Sequence, residues 1–90
     1  MHLSIIPPAS TTRPAGANAL YSNTTGNYNT ASGVAALGSN TTGYENTATG
    51  LNALAFNKTG SFNTATGFYA LFGNIDGVYN TATGYQAPPK

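Results

Sequence analysis

The sequence predicts an all-β fold, a parallel β-roll or β-solenoid of 17-residue repeats with two short strands in each rung. Ala-Leu pairs recur at 19–20, 36–37, 53–54 and 70–71, so the chain repeats every 17 residues. Two glycines in every repeat disfavour the helix pairs from which longer repeats are built. The composition, with 14 Thr, 14 Ala, 11 Asn and 11 Gly among 90 residues, suits short strands joined by tight turns.

The repeat divides the chain into one repeat domain with a short segment at each end. An N-terminal extension, residues 1–15, contains three of the five prolines. The repeat domain is predicted over residues 16–87, and residues 88–90 form a C-terminal tail. Eight of the 17 positions are identical in all four complete copies, so each copy is expected to have the same surroundings. The copies are 16–32, 33–49, 50–66 and 67–83, with a partial fifth at 84–87.

Each repeat is expected to hold two strands that pair in parallel with their counterparts one rung on. The first strands are predicted at residues 17–21, 34–38, 51–55 and 68–72. The second strands are predicted at residues 28–32, 45–49, 62–66 and 79–83. Asn-x-x-Gly turns join them, with Asn bonding to the backbone and Gly supplying positive φ. A second glycine column, at 33, 50, 67 and 84, makes the other bend.

The invariant apolar and amide positions are predicted to form the interior. The leucine stack comprises Leu20, Leu37, Leu54 and Leu71, and the residues expected to assist it are Ala17, Val34, Leu51, Phe68 and Tyr85. Identical Asn side chains can bond amide to amide between rungs. The two predicted ladders are Asn23, Asn40, Asn57 and Asn74, and Asn29, Asn46, Asn63 and Asn80. Such a thin stack buries little apolar area, so association with further chains is expected.

Charge and side-chain chemistry argue against several classes of function. Five charged residues and a net charge of +1 provide neither a basic surface for nucleic acid nor an acidic one for cations. The single His, Glu and Asp stand outside the invariant positions, so no catalytic residue, metal or cofactor is expected. Without cysteine there is no disulfide or thiolate site. No run of 18 apolar residues occurs, so no membrane span is predicted.

Two blocks resemble the head repeats of trimeric autotransporter adhesins, the YadA-like head family, and similar repeats of phage tail-fibre proteins. They are Asn46-Thr47-Ala48-Thr49-Gly50-Leu51-Asn52-Ala53-Leu54 and Asn63-Thr64-Ala65-Thr66-Gly67-Phe68-Tyr69-Ala70-Leu71. The resemblance spans residues 16–87, and the family's aliphatic strand positions correspond here to Thr47 and Thr49. It implies a left-handed parallel β-roll, three chains side by side, and exposure at a bacterial or viral surface for attachment.

Together these features favour a non-catalytic surface-fibre or adhesin head module. A homotrimer is the expected assembly, and the location is extracellular, at a cell surface or in a virion fibre. The receptor is expected to be a surface glycan or protein. Aromatic side chains at variable positions are the candidate contact residues, because aromatic anchors dominate such contacts. They are Tyr28, Tyr44, Phe62, Tyr69 and Tyr79.

Two alternatives come from other classes of protein. The first is an extracellular filament, in which exposed strand edges stack copies end to end. The second is an ice-binding solenoid, because a Thr-x-Thr array on stacked strands looks like the ice-binding face of solenoid antifreeze proteins. The array comprises Thr30, Thr47, Thr49, Thr64, Thr66, Thr81 and Thr83. The same threonines are equally consistent with β-formers that face a narrow interior or a contact between chains.

Overall fold

The computed structural model describes residues 13–86, and over that range it is all-β with one five-stranded parallel sheet. The strands are β1 (Arg13–Ala15), β2 (Thr30–Ser32), β3 (Thr47–Thr49), β4 (Thr64–Thr66) and β5 (Thr81–Thr83). They lie in chain order and in register, so that Thr30 pairs with Thr47 and Ala48 with Ala65. The parallel, solenoid-like arrangement of strands is therefore confirmed.

The ends of the chain bear on the predicted domain boundaries. Residues 1–12 of the N-terminal extension, Ala87 at the end of the repeat domain and the tail at 88–90 lie outside the described residues. The last three residues of the predicted extension are β1, which pairs with β2. The sheet thus begins before the first glycine of the repeat.

Each strand of the repeat domain is only three residues long and alternates strictly between the two faces of the sheet. The central alanine is buried and the residues on either side of it are exposed. This follows from the period of two along a strand. The buried column is Ala31, Ala48, Ala65 and Ala82. Small side chains on the inner face allow the rest of the rung to approach the sheet closely.

The prediction that each rung holds two strands is wrong, because the strands named first above do not form. Residues 17–21 and their counterparts at 34–38, 51–55 and 68–72 form turns. Asn18 and Leu20 have φ of 64° and 53°, in the left-handed region, whereas a strand requires negative φ throughout. The turns nevertheless join the rungs, since the Leu20 N–H donates to the Ala36 carbonyl at 3.0 Å. Backbone bonding between rungs therefore continues where no strand forms.

The strands that do form are shorter than predicted. Tyr28 has a φ of 62°, and Glu45, Phe62 and Tyr79 at the same position are also left-handed. β2 consequently begins at Thr30 rather than at residue 28. Bulky residues rarely adopt positive φ, so their side chains gave no sign of this bend.

The four invariant leucines are buried in the interior: Leu20, Leu37, Leu54 and Leu71 are between 0 and 4% exposed. The residues expected to assist them are not in the core, and this prediction is wrong. Val34 is 47% exposed and Phe68 is 43% exposed. The left-handed residue that follows this position turns the chain, so that the next Ala-Leu pair points inward and the preceding side chain outward.

Two asparagine ladders cross the interior beside the leucines. In the first, Asn57 Nδ2 donates to Asn40 Oδ1 at 2.9 Å. In the second, Asn46 Oδ1 accepts from both the backbone N–H and Nδ2 of Asn63, at 3.0 and 3.1 Å. The ladders meet at glycine carbonyls: the Gly60 oxygen accepts from Asn57 Nδ2 at 3.0 Å and from Asn46 Nδ2 at 2.8 Å. The amides of the two ladders are thus paired as burial of polar groups demands, whereas Asn27 Oδ1, outside the ladders, is buried without a hydrogen-bond partner.

The two glycine columns serve different purposes. Gly33 and its counterparts have positive φ, 130° at Gly33, and a Cβ there would lie 2.6 Å from the Gly50 oxygen. The glycine of Asn-x-x-Gly was expected to supply positive φ, but Gly43 is not in that region. It is glycine because a Cβ would collide with the Gly60 carbonyl oxygen. Close approach between rungs, not backbone conformation, fixes this column.

Candidate functional site: the outer surface of the rungs

The outer surface rather than the interior carries the candidate functional residues. Among residues 13–86, no three His, Cys, Asp or Glu side chains lie close enough together to hold a metal ion. Eleven large apolar side chains within this part of the chain are exposed. Monomeric proteins rarely expose large contiguous apolar patches, so these residues indicate contact surfaces. Seven of them belong to two aromatic clusters and one apolar stripe.

Four of the five predicted aromatic contact residues are exposed near the turn before the strands. Phe62 and Tyr79 are stacked, with ring centroids 4.9 Å apart and planes 3° from parallel. Tyr44 meets Phe62 edge to face at 5.3 Å. Tyr28 occupies the equivalent position in the first repeat and is 59% exposed. The structure brings Tyr44, Phe62 and Tyr79 together as one cluster, the turn patch.

The fifth predicted residue, Tyr69, belongs to a different cluster. Its ring lies 4.5 Å from that of Phe68 and 4.8 Å from that of Phe72. Phe72 in turn contacts Phe56 at 4.6 Å, and Phe68 stacks on Tyr85 at 5.2 Å. The five rings form a continuous band across the last rungs, here called the aromatic belt. Sequence reasoning placed Phe68 and Tyr85 in the interior rather than at a contact surface, although residues 68, 69 and 72 crowd three rings into one turn.

A groove of about 590 Å³ borders the aromatic belt. Rings stand at its two ends, Tyr21 at one and Phe56 with Phe72 at the other. Small and polar side chains line the space between: Asn18, Ser22, Ala35, Gly38, Ser39, Asn52 and Ala55. The depth of the groove arises because the position held by Tyr21 and Phe72 in the outer repeats is held by Gly38 and Ala55 in the middle ones.

The predicted threonine array lies on the outer face of the sheet. Thr30, Thr47, Thr64 and Thr81 form one exposed row, and Thr49, Thr66 and Thr83 form the second. The in-register pairing places equivalent hydroxyls one strand spacing apart, about 4.8 Å. The possibility that these threonines face the interior is therefore wrong, because the alternating alanines occupy that side. Both rows stand on the exposed side of the strands, where their hydroxyls are open to water.

An apolar column runs along a further side of the rungs, one residue after each positive-φ glycine. Leu51 is half-buried, and its neighbours in the column are exposed. The column, here called the apolar stripe, comprises Ala17, Val34, Leu51, Phe68 and Tyr85. It shares Phe68 and Tyr85 with the aromatic belt but contributes no residue to the groove.

Over residues 13–86 no helix is long and apolar enough to cross a membrane. Comparison with family models, with curated proteins and with solved structures finds no match to this chain.

Proposed function

We propose that this chain is a non-catalytic structural module of an extracellular fibre or adhesin head, displayed at a cell or virion surface for attachment. The observation that carries the proposal is the contrast between its inside and its outside. Backbone and Asn amides bond each rung to the next, while large aromatic side chains stand outside. A stack in which each rung contacts only its neighbours keeps its cross-section as rungs are added, which suits a fibre. The resemblance of residues 46–54 and 63–71 to YadA-like head repeats supports the same function.

A left-handed roll in a side-by-side homotrimer is the assembly we propose. The apolar stripe supports it, because Val34 and Phe68 leave apolar area in contact with water that a neighbouring chain would cover. The direction of the stripe also suits this contact. It runs from rung to rung, so parallel copies can meet along its whole length.

Sedimentation equilibrium tests the assembly. We expect a mass three times 9.2 kDa that is constant over a range of concentrations. Val34→Asp combined with Phe68→Asp should reduce the mass to that of one chain while the far-ultraviolet circular dichroism is retained. A single-chain mass for the unmodified protein would contradict the trimer, and growth without limit would favour end-to-end filaments.

Attachment itself is tested with inert beads that carry the protein. We expect coated beads to be retained under flow on surfaces bearing polysaccharides or extracellular-matrix proteins. Beads carrying Asn57→Asp, which disrupts the interior, are the folding control. Equal retention of both kinds of bead on every surface would contradict the proposed function.

Ice binding is a second candidate, favoured by the exposure of the threonine array. Its hydroxyls lie in register on the exposed face of the sheet, where water can reach them. A solution of the protein should then show thermal hysteresis, and Thr64→Lys should abolish it. Thr59→Lys, on an exposed turn away from the sheet, is the matched control. Absence of hysteresis in the unmodified protein would exclude this function.

A further inference from the structure

The groove beside the aromatic belt has the dimensions of a ligand site. Its volume of about 590 Å³ falls within the range of small-molecule sites, roughly 300–1,000 Å³. Tyr21 and Phe72 hold the same position of the repeat three rungs apart, which is about 14 Å at 4.8 Å per rung. Gly38 and Ala55 hold that position between them. The groove, called the trough from here on, is therefore elongated and has a ring at either end.

The lining residues specify the chemistry of the occupant. No Asp, Glu, His, Lys or Arg lines the trough. Asn18 and Asn52 contribute amides, and Ser22 and Ser39 contribute hydroxyls, so every polar side chain in the trough can both donate and accept. The ring faces supply large apolar area next to these groups. Alternating hydroxyl groups and C–H faces are the surface of a sugar.

We propose that this trough binds a short neutral oligosaccharide, laid along the axis of the stack with sugar faces against Tyr21 and Phe72. The proposal rests on the proposed attachment function and gives it a ligand class and a site. An anionic saccharide is disfavoured because no cation lines the trough. An apolar segment of a second chain is also disfavoured, because it would cover the Asn18 and Asn52 amides without pairing them. The apolar stripe is the better surface for a second copy.

The chain supplies its own test variants, because each lining position carries a different side chain in another repeat. Ser39→Phe copies Phe56 and should fill the trough. Phe72→Ala copies Ala55 and removes the ring at one end. Asn52→Ala copies Ala35, which also has positive φ, 63° against 60° at Asn52. Since these side chains already stand at equivalent positions, the variants are expected to fold.

Isothermal titration calorimetry with cellotriose, maltotriose and triacetylchitotriose is the experiment; the chain has no Trp to report by fluorescence. We expect at least one of these trisaccharides to bind at millimolar concentration or below. Ser39→Phe and Phe72→Ala should each weaken its binding at least tenfold, and Asn52→Ala several-fold. Thr59→Ala, at an exposed position outside the trough, should leave the affinity unchanged.

Several outcomes would overturn the proposal. These are no binding of any of the three trisaccharides, equal binding by Ser39→Phe, an equal loss in Thr59→Ala, and preference for sialyllactose over its neutral counterpart lactose. A change of sedimentation mass in Ser39→Phe, without sugar binding by the unmodified protein, would assign the trough to chain–chain contact instead. The attachment function is judged separately. If no trisaccharide binds but coated beads still adhere to matrix-protein surfaces, only the saccharide site is contradicted. If coated beads adhere to no surface, the attachment function and the saccharide site are both contradicted.

Discussion

Asn57 Nδ2 lies 2.9 Å from Asn40 Oδ1 and 3.0 Å from the carbonyl oxygen of Gly60, so both amide protons of this fully buried side chain are used. Its own Oδ1 accepts from Asn74 Nδ2 at 2.9 Å. A buried amide left unpaired would cost about 1–3 kcal/mol. Every rung therefore depends on the one before it, and the ladder specifies the register of a chain with few large apolar residues.

Asn57→Asp should destabilise the fold by about 3–5 kcal/mol at pH 7. A carboxylate has no proton for Asn40 Oδ1 or the Gly60 oxygen, and burial raises the pKa of the new carboxyl above its unfolded value. The free energy of unfolding of the variant, relative to the wild type, is therefore highest when the pH is below the pKa of the carboxyl in the unfolded chain. It falls as the pH rises through the pKa of the carboxyl in the folded protein. Urea denaturation followed by circular dichroism at several pH values measures both effects.

The matched control for the ladder is Asn18→Asp. Asn18 is exposed, and Asp tolerates its left-handed backbone about as well as Asn does. Its denaturation midpoint should stay close to that of the wild type. If Asn57→Asp were as stable as Asn18→Asp at pH 7, the ladder would not contribute to stability.

Gly43→Ala should prevent folding or reduce stability by several kcal/mol. Its Cβ would overlap the Gly60 carbonyl oxygen and lie 2.6 Å from Asn40 Oδ1, so both the rung spacing and the ladder would have to shift. Gly73→Ala is the control, because a Cβ at Gly73 meets nothing within 4 Å. We expect the free energy of unfolding of this control to lie within about 0.5 kcal/mol of the wild-type value. Similar melting temperatures for the two variants would show that the rungs are not in this close contact.

Leu54→Asp should abolish folding, because it places an unpaired charge in the leucine column, where Leu54 is fully buried. Val78→Asp carries the same charge at a side chain that is 50% exposed, and equivalent positions are held by Asn27 and Ser61. That control should keep the circular dichroism spectrum of the wild type. Retention of the spectrum by Leu54→Asp would mean that the leucines do not form the interior.

The parallel stacking and the buried columns could be predicted from the repeat, because positions identical in every copy are those that contact the neighbouring rung. The backbone conformation within each rung could not be predicted. Leu20 is left-handed although leucine rarely is, a conformation that costs of the order of 1–3 kcal/mol. Packing of the column and the backbone bond to Ala36 both hold it in place. Tyr28 and Glu45 share a positive φ without sharing any side-chain chemistry.

The groove was missed for a related reason. It forms because Gly38 and Ala55 have no large side chain at the position where Tyr21 and Phe72 have rings. This difference in size produces a groove only when the rungs are stacked. The sequence signal of the trough is the order of side chains along this one column of the repeat, with a ring at each end and small residues between them.

The last prediction concerns which face of the sheet, the alanine face or the threonine face, points to the interior. Ala65 is fully buried at the centre of β4, whereas Thr64 beside it is exposed. Ala65→Leu should cost at least about 1–3 kcal/mol, because the inner face has no room for three more carbon atoms. Thr64→Leu, which introduces the same side chain one residue earlier, should change the free energy of unfolding by about 0.5 kcal/mol or less.

Thermal denaturation of Ala65→Leu and Thr64→Leu decides which face of the strand is inside. A one-residue shift in the orientation of a strand moves its whole side-chain set to the other face. If Thr64→Leu were the more damaging substitution, the threonines would line the interior. The threonine array would then be unable to contact water or ice, and the second candidate function would be excluded before any freezing measurement.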